Sequence, residues 1–136
     1  TLAKYGISLD KSRIIRSRYV IEDVYNDVKF MLKNGNLPTA IFAASDIMAF
    51  GAIKALLDEG YRVPEDISVI GSDNISFSED FLIPLTTVDA RAYEIGRIGC
   101  EILIKLLKGE NSVKPQRLFL QPQIVERKSC GSNIKI

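Results

Sequence analysis

The sequence contains no histidine and no tryptophan, and it has only two cysteines. Without histidine, the chain lacks the usual general base and the most common metal ligand of proteins. Cys100 and Cys130 form no Cys-x-x-Cys pair, so the spacings typical of zinc and redox sites are missing. We expect two unpaired thiols, with a disulfide between them as the alternative. These absences argue against an enzyme and predict neither a metal nor a cofactor.

The chain also lacks an excess of either charge and a long apolar run. Its 18 basic and 17 acidic residues give a net charge of +1, so we expect no direct binding of nucleic acid by this stretch. No segment approaches the roughly 18 apolar residues of a membrane span, and residues 1–12 resemble no signal peptide. We therefore expect a cytoplasmic chain without membrane contact.

Strand and helix signals alternate along the first half of the chain. They are a weak strand in residues 14–20, a helix ending at Asn34 and Gly35, a strand at 40–44, a helix at 47–59 and a strand at 67–70. Alternation with short connections predicts an α/β fold, with an open, mostly parallel sheet flanked by helices.

The second half begins with a polar stretch, residues 72–84, which predicts a long loop with at most one short helical turn. An extended piece at 85–88 precedes a helix whose apolar stripe ends at Gly109. Leu118 and Leu120, followed by Ile124 or Val125, predict two terminal strands around Pro122, which favours edge positions.

Polar residues follow two of the predicted strands, where ligands bind in open parallel sheets. Ser45 and Asp46 follow one strand, and Asp73 and Asn74 follow the next. Carboxylate and amide groups suit a polyhydroxylated ligand, because they accept and donate hydrogen bonds. Helix capping and turn formation explain the same residues equally well, so the pattern leaves both interpretations open.

The helix at 47–59 is apolar in every direction around its axis. Of residues 47–57, only Gly51 and Lys54 are not apolar. Such a helix has to be covered on more than its sheet side, either by another part of the fold or by a partner chain. A partner would make this helix a homodimer contact, with Met48, Ala49, Ala52 and Ile53 as the contact residues.

Several segments in unbroken order resemble the effector-binding region of the LacI/GalR family of bacterial transcription regulators. They are PTAIF (38–42), ASDIMAFGA (44–52), GYRVPEDISVIG (60–71), DN (73–74), PLTTV (84–88), EIGR (94–97) and VERKS (125–129). The resemblance implies one lobe of a periplasmic-binding-protein-like type I fold. Such a fold holds a sugar or related small molecule in a cleft between two lobes.

By this resemblance, residues 1–136 form the C-terminal lobe, and residues 91–108 form a crossover helix that packs on an N-terminal lobe. The helix-turn-helix that binds operator DNA would lie outside this chain, in a homodimeric regulator. The alternative is the C-terminal lobe of a secreted sugar-binding protein of a transport system. Without its partner lobe, the crossover helix would expose Ile95, Ile98, Ile102 and Leu106. We therefore expect this stripe to fold back or to associate with a second chain.

The resemblance also assigns effector contacts by position. Asp73 matches the acidic ligand contact of the family, and Ser45 and Asp46 match its polar pair at the second strand end; Asn74, Arg18 and Tyr19 are further candidates. The chain departs from the family pattern in three places, at Ser72, at residues 89–91 and at Arg18, which stands where an acidic residue is common. An arginine there would favour an anionic effector, because guanidinium binds carboxylate and phosphate groups bidentately.

Overall fold

The computed structural model describes residues 2–35, 37–109 and 117–131. Its helices are α1 (Ile21–Lys33), α2 (Asp46–Asp58) and α3 (Ala92–Leu107), and its strands are β1 (Ala40–Phe42), β2 (Ser68–Ser72), β3 (Thr86–Asp89) and β4 (Gln123–Val125). Short 3-10 helices span Leu2–Tyr5, Lys11–Arg13 and Ser76–Ser78. The strands form one sheet in the order β1-β2-β3-β4. Strands β1, β2 and β3 run parallel, and β4 is antiparallel to β3, so the predicted open, mostly parallel α/β sheet is confirmed.

Helix α1 buries one face against α2. Val24, Val28 and Leu32 recur every four residues and are its buried side chains, as an amphipathic helix requires. The helix ends at Asn34, and Gly35 follows with a φ of 73°, a left-handed conformation that glycine adopts without steric cost. The end of this helix lies where the sequence predicted it.

Helix α2 forms the centre of the core. Ser45 caps its first turn, because the Ser45 hydroxyl accepts a hydrogen bond from the Met48 N–H at 3.3 Å. Phe50 and Leu56 are fully buried, together with other apolar residues on several sides of the helix. Helix α1 supplies the cover that the all-round apolar sequence requires, since Gly51 touches the α1 backbone.

The packing of α2 bears on the predicted dimer contact. Ala49, Ala52 and Ile53 are at most 1% exposed, so the chain's own residues cover them. The dimer contact stays a prediction. Met48 is half-buried and remains accessible.

Two predicted strands are absent from the described residues. Residues 14–20 form no strand, although Ile14 and Val20 have extended backbone angles. Extended residues become a strand only when a neighbour completes the hydrogen-bond ladder, and this segment pairs with no strand in the described ranges. Leu118 and Leu120 likewise lie outside any strand, so β4 is the only strand among the described residues that follow α3.

Helix α3 matches the predicted crossover helix in position and is the least buried of the three α-helices. It has no buried residue; of the predicted stripe, Ile95 and Leu106 are more than half exposed, and Ile98 and Ile102 are half-buried. How this stripe is covered stays a prediction. Cys100 on this helix and Cys130 near the chain's end are both free thiols, as predicted. No described helix is long and apolar enough to cross a membrane.

The close packing of α1 on α2 can be tested at Gly51. A Cβ there would lie 2.5 Å from the Ile21 carbonyl oxygen and 2.9 Å from the Val24 Cβ. We expect Gly51→Ala to lower the free energy of unfolding, because overpacking costs about 1–3 kcal/mol and exceeds the gain in helix propensity. Gly96→Ala is the matched control in α3, where a Cβ meets no atom within 4 Å, and it should raise stability by about 0.5–1 kcal/mol. Urea unfolding of both variants measures the difference, and equal effects would contradict the packing argument.

Candidate functional site

The polar residues predicted from the sequence lie at one edge of the sheet. Strands β1, β2 and β3 are parallel, so the segments that follow them all leave the sheet at its carboxyl edge. Asp46 follows β1, Asp73 and Asn74 follow β2, and Asp89 ends β3. Four polar side chains from three connections therefore share this edge, which is the candidate functional site.

Asp46 is the buried centre of the edge. Its side chain has no exposed surface, and its carboxylate accepts hydrogen bonds from the Ile75 N–H at 3.0 Å, the Ser78 hydroxyl and the Thr87 hydroxyl. Three donors satisfy the carboxylate and offset much of the cost of burying it. Asp46 therefore links three parts of the fold, and both of its oxygens are engaged there; its role as a direct effector contact stays a prediction.

Asp73 has the opposite environment. Its side chain is exposed and has no hydrogen-bond or ion-pair partner among the described residues. Its backbone N–H donates to the Val88 carbonyl at 2.9 Å, and its φ is 115°, outside the usual range for a residue with a side chain. Partial burial raises the pKa of the Asp73 carboxyl, and the nearby charge of Asp46 raises it further. Perturbed carboxylates of this kind concentrate at functional sites.

Asn74 is held by its neighbours rather than left free. Its side-chain amide donates to Asp89 at 3.2 Å and accepts from the Arg127 guanidinium at 2.9 Å. Its backbone has a φ of 50°, and its N–H donates to the Thr87 hydroxyl at 3.3 Å. These contacts place Asn74 beside Asp73 and use both polar ends of its amide.

The other predicted contacts serve local structure in this conformation. Ser45 is 5% exposed and caps α2. The Arg18 guanidinium pairs with Asp23 through two nitrogens. Asp23 therefore compensates the positive charge of Arg18, which an anionic effector would require. Tyr19 is 69% exposed. The structure thus joins Asp73 and Asn74 in one site and gives Ser45 and Arg18 partners of their own.

Sequence reasoning missed the residues that support the edge, namely Ser78, Thr87, Asp89 and Arg127. Arg127 reaches back to the Leu85 carbonyl at 2.8 Å and to Asn74. Asp89 accepts from the Arg91 N–H at 2.6 Å, where Arg91 begins α3 with a φ of 59°. Arg127 belongs to the closing VERKS motif and Thr87 to the PLTTV motif. Both motifs could be recognised in the sequence, but the residues that Arg127 and Thr87 contact could not.

Two concavities in the described part of the chain are lined mostly by residues other than these polar groups, although Arg127 lines the second. One groove of about 600 Å³ runs between the N-terminal segment and β1, with Leu9, Ile15, Phe42 and Met48 among its mostly apolar lining residues. A second cavity of about 850 Å³ lies beside Pro64, Pro84 and Cys130, and burial raises the pKa of the Cys130 thiol. Among the described residues, no group of three acidic or cysteine side chains could hold a metal ion. The unpaired carboxylate of Asp73 therefore remains the strongest candidate contact for a polar ligand.

An open, mostly parallel sheet with polar connections at its carboxyl edge is the arrangement in which α/β proteins bind ligands. Residues 1–130 match the family of periplasmic binding protein-like domains, and the chain belongs to this family.

Curated relatives confirm the resemblance to LacI/GalR regulators. The chain is 36% identical over 128 residues to the transcriptional repressor PurR of Haemophilus influenzae (strain PittEE), covering 93% of the chain and 38% of PurR. It is 36% identical over 122 residues to the repressor MelR of Bacillus subtilis (strain 168), covering 90% and 35%. It is also 38% identical over 131 residues to the regulator MalR of Clostridium butyricum, covering 95% and 38%. The chain thus spans little more than a third of these relatives.

Solved structures of regulators share the fold. The regulator CelR, solved with cellobiose, superposes with a TM-score of 0.83 at 29% identity, over 94% of this chain and 39% of CelR. A LacI-family regulator of Escherichia coli with phosphate gives 0.84 at 30%, over 94% and 45%. A LacI-family regulator of Arthrobacter sp. FB24 with lactose gives 0.84 at 32%, over 96% and 47%.

The environment of Asp73 predicts a gain in stability on neutralisation. Because its pKa is raised in the folded chain, the ionised form is the less favourable one there, and folding is opposed at pH values above the raised pKa. We expect Asp73→Asn to raise the Tm at pH 7, with the difference shrinking as the pH falls through the raised pKa and vanishing below the ordinary value of 3.8. Calorimetry across pH measures this, with Asp80→Asn in the same loop as control. An unchanged or lower Tm for Asp73→Asn at pH 7 would contradict it.

Proposed function

We propose that this chain is the C-terminal lobe of the effector-binding domain of a LacI/GalR-like transcription regulator. In this proposal, a sugar or related small molecule binds in a cleft between this lobe and an N-terminal lobe. Binding then changes the affinity of a separate helix-turn-helix for operator DNA. The observation that carries the proposal is the Asp73 carboxylate, which has no partner among the described residues and lies at the polar edge of the parallel strands.

The chemistry of Asp73 supports a hydroxylated ligand. A carboxylate accepts hydrogen bonds from two hydroxyl groups at once, as neighbouring hydroxyls of a sugar present them. Asn74 and Asp89 tether one another beside it and keep the edge polar. The solved relatives with cellobiose and lactose bind ligands of this class. The paired state of Arg18 supports a neutral rather than an anionic effector.

The exposed face of α3 supports the assignment as a single lobe. Ile95, Leu103 and Leu106 form apolar surface that an isolated lobe leaves in water, and such surface is typical of an interface. We assign it to contact with the N-terminal lobe, and residues 1–136 to the C-terminal lobe. A regulator of bacterial operators works beside the chromosome, so the proposed location is the cytoplasm.

The proposed regulator is a homodimer. Lac repressor, a structural relative at 30% identity, has been solved as a dimer bound to operator. Of the four residues predicted as dimer contacts, Met48 keeps accessible surface for a partner. The relatives named above are regulators of transcription, which favours a regulator over a transport protein or an enzyme.

Ligand binding tests the proposal directly. We expect cellobiose, lactose or another sugar in a panel of neutral sugars and sugar phosphates to raise the Tm of the full-length protein. Asp73→Ala should weaken the binding of any sugar that does so by about 10-fold to 100-fold, since a hydrogen bond to a charged group contributes about 1.5–3 kcal/mol. Isothermal titration calorimetry measures the change.

Asp80→Ala is the matched control for Asp73→Ala. Asp80 is an exposed aspartate of the same connection, and its removal should leave sugar affinity unchanged. Equal losses in the two variants, or no response of the wild type to any sugar in the panel, would contradict the proposal.

The exposed stripe of α3 predicts association of the 136-residue chain on its own. We expect analytical ultracentrifugation at micromolar concentration to show oligomers, because several apolar side chains of α3 are left exposed by the described residues. Replacing Ile95 and Leu106 with Asp should shift the chain toward monomer, whereas Glu101→Gln on the same helix should not. A wild-type monomer that keeps α3 ordered and exposed would contradict this expectation.

A further inference from the structure

We propose that Asp46 is a positioning residue of the Asp73 site, because its buried carboxylate fixes the conformation in which residues 73–78 present Asp73 to a ligand. The inference rests on the proposed function, since it concerns the same site. It differs from the sequence prediction, in which Asp46 itself touched the effector.

The first support is where the carboxylate's partners lie. Two of its three donors, the Ile75 N–H and the Ser78 hydroxyl, belong to the connection that carries Asp73. Asp46 itself lies in the first turn of α2, whose capping group is Ser45. The carboxylate is therefore used to hold a different segment, 29 to 32 positions further along the chain.

The second support is a relay through Thr87. The Thr87 hydroxyl donates to Asp46 and accepts from the Asn74 N–H at 3.3 Å. A hydroxyl that donates its only proton to a carboxylate has its lone pairs free for an incoming N–H. Asp46 thus orients Thr87, and Thr87 holds the residue that follows Asp73.

The third support is the backbone that these contacts maintain. Asp73 and Asn74 have φ values of 115° and 50°, so two consecutive residues with side chains lie in a region that favours glycine. Such conformations persist only where the surroundings over-determine them. Thr87 on β3 accepts from the Asn74 N–H, and Asp46 accepts from the N–H of Ile75, the next residue along the chain. These two contacts hold the backbone of this pair in place.

The fourth support is the space kept for the carboxylate. A Cβ at Gly71 would collide with the Asp46 carboxylate. Because glycine has no Cβ, Gly71 leaves room for the Asp46 side chain just before the connection begins. Gly71 also lies next to the fully buried Leu85. The close approach of Asp46 to β2 is therefore part of how the edge is built.

Hydrogen exchange in the full-length protein tests the inference without a ligand. We expect Asp46→Asn, which replaces one acceptor oxygen with a donor, to speed exchange of the Asn74 and Ile75 amides at least 10-fold. Thr87→Val, which keeps the shape and removes the hydroxyl, should speed exchange at Asn74, whereas Thr87→Ser should restore it. Ile53→Val, a core variant, controls for lost stability and should leave these amides unchanged.

Sugar affinity provides the second readout. Asp46→Asn and Thr87→Val should each weaken the binding of cellobiose, lactose or whichever sugar of the panel binds the wild type, by about 10-fold, while Ile53→Val and Thr87→Ser keep the wild-type affinity. If Asp46→Asn does not fold, Thr87→Val decides by the same measurements. Exchange at Asn74 that rises no more in Thr87→Val than in Ile53→Val would overturn the inference. If no sugar binds the wild type, the proposed function fails, and the exchange experiment still decides the role of Asp46.

Discussion

The polar edge of this chain depends on the three hydrogen bonds that the buried carboxylate of Asp46 accepts. A charge without exposed surface is costly unless donors surround it, and its donors come from the connection after β2 and from β3. Because all three hydrogen bonds end on one side chain, the start of α2, the 73–78 connection and β3 are fixed relative to one another. The position of Asp73 follows from that arrangement.

The sequence predicted the elements whose signals are local. Apolar spacing in α1 and the glycine after it identified that helix and its end, and Ser45 identified the start of α2. The segment at residues 14–20 has strand-like composition but no strand, because pairing depends on a neighbouring backbone that local composition cannot reveal. The all-round apolar character of α2 correctly required a second cover, but it could not distinguish α1 from a partner chain.

The candidate site was predicted in part for the same reason. The residues Asp73 and Asn74 stand directly after a strand, which is a local signal. The partners of Asp46 lie 29 to 41 positions away along the chain, and those of the Arg127 side chain lie 42 to 53 positions away. No spacing rule links residues at such separations. The sequence could therefore suggest that Asp46 touches a ligand, but not that its carboxylate is hydrogen-bonded within the fold.

Two of the three carboxylates at the edge, those of Asp46 and Asp73, have opposite environments. Asp46 is fully buried and fully bonded, whereas Asp73 is exposed, unpaired among the described residues, and destabilised as an anion by partial burial and by Asp46 itself. Both oxygens of Asp46 already accept hydrogen bonds from donors within the fold. The Asp73 carboxylate accepts none from the described side chains, so it is the group of this edge that a molecule with hydroxyl donors would satisfy.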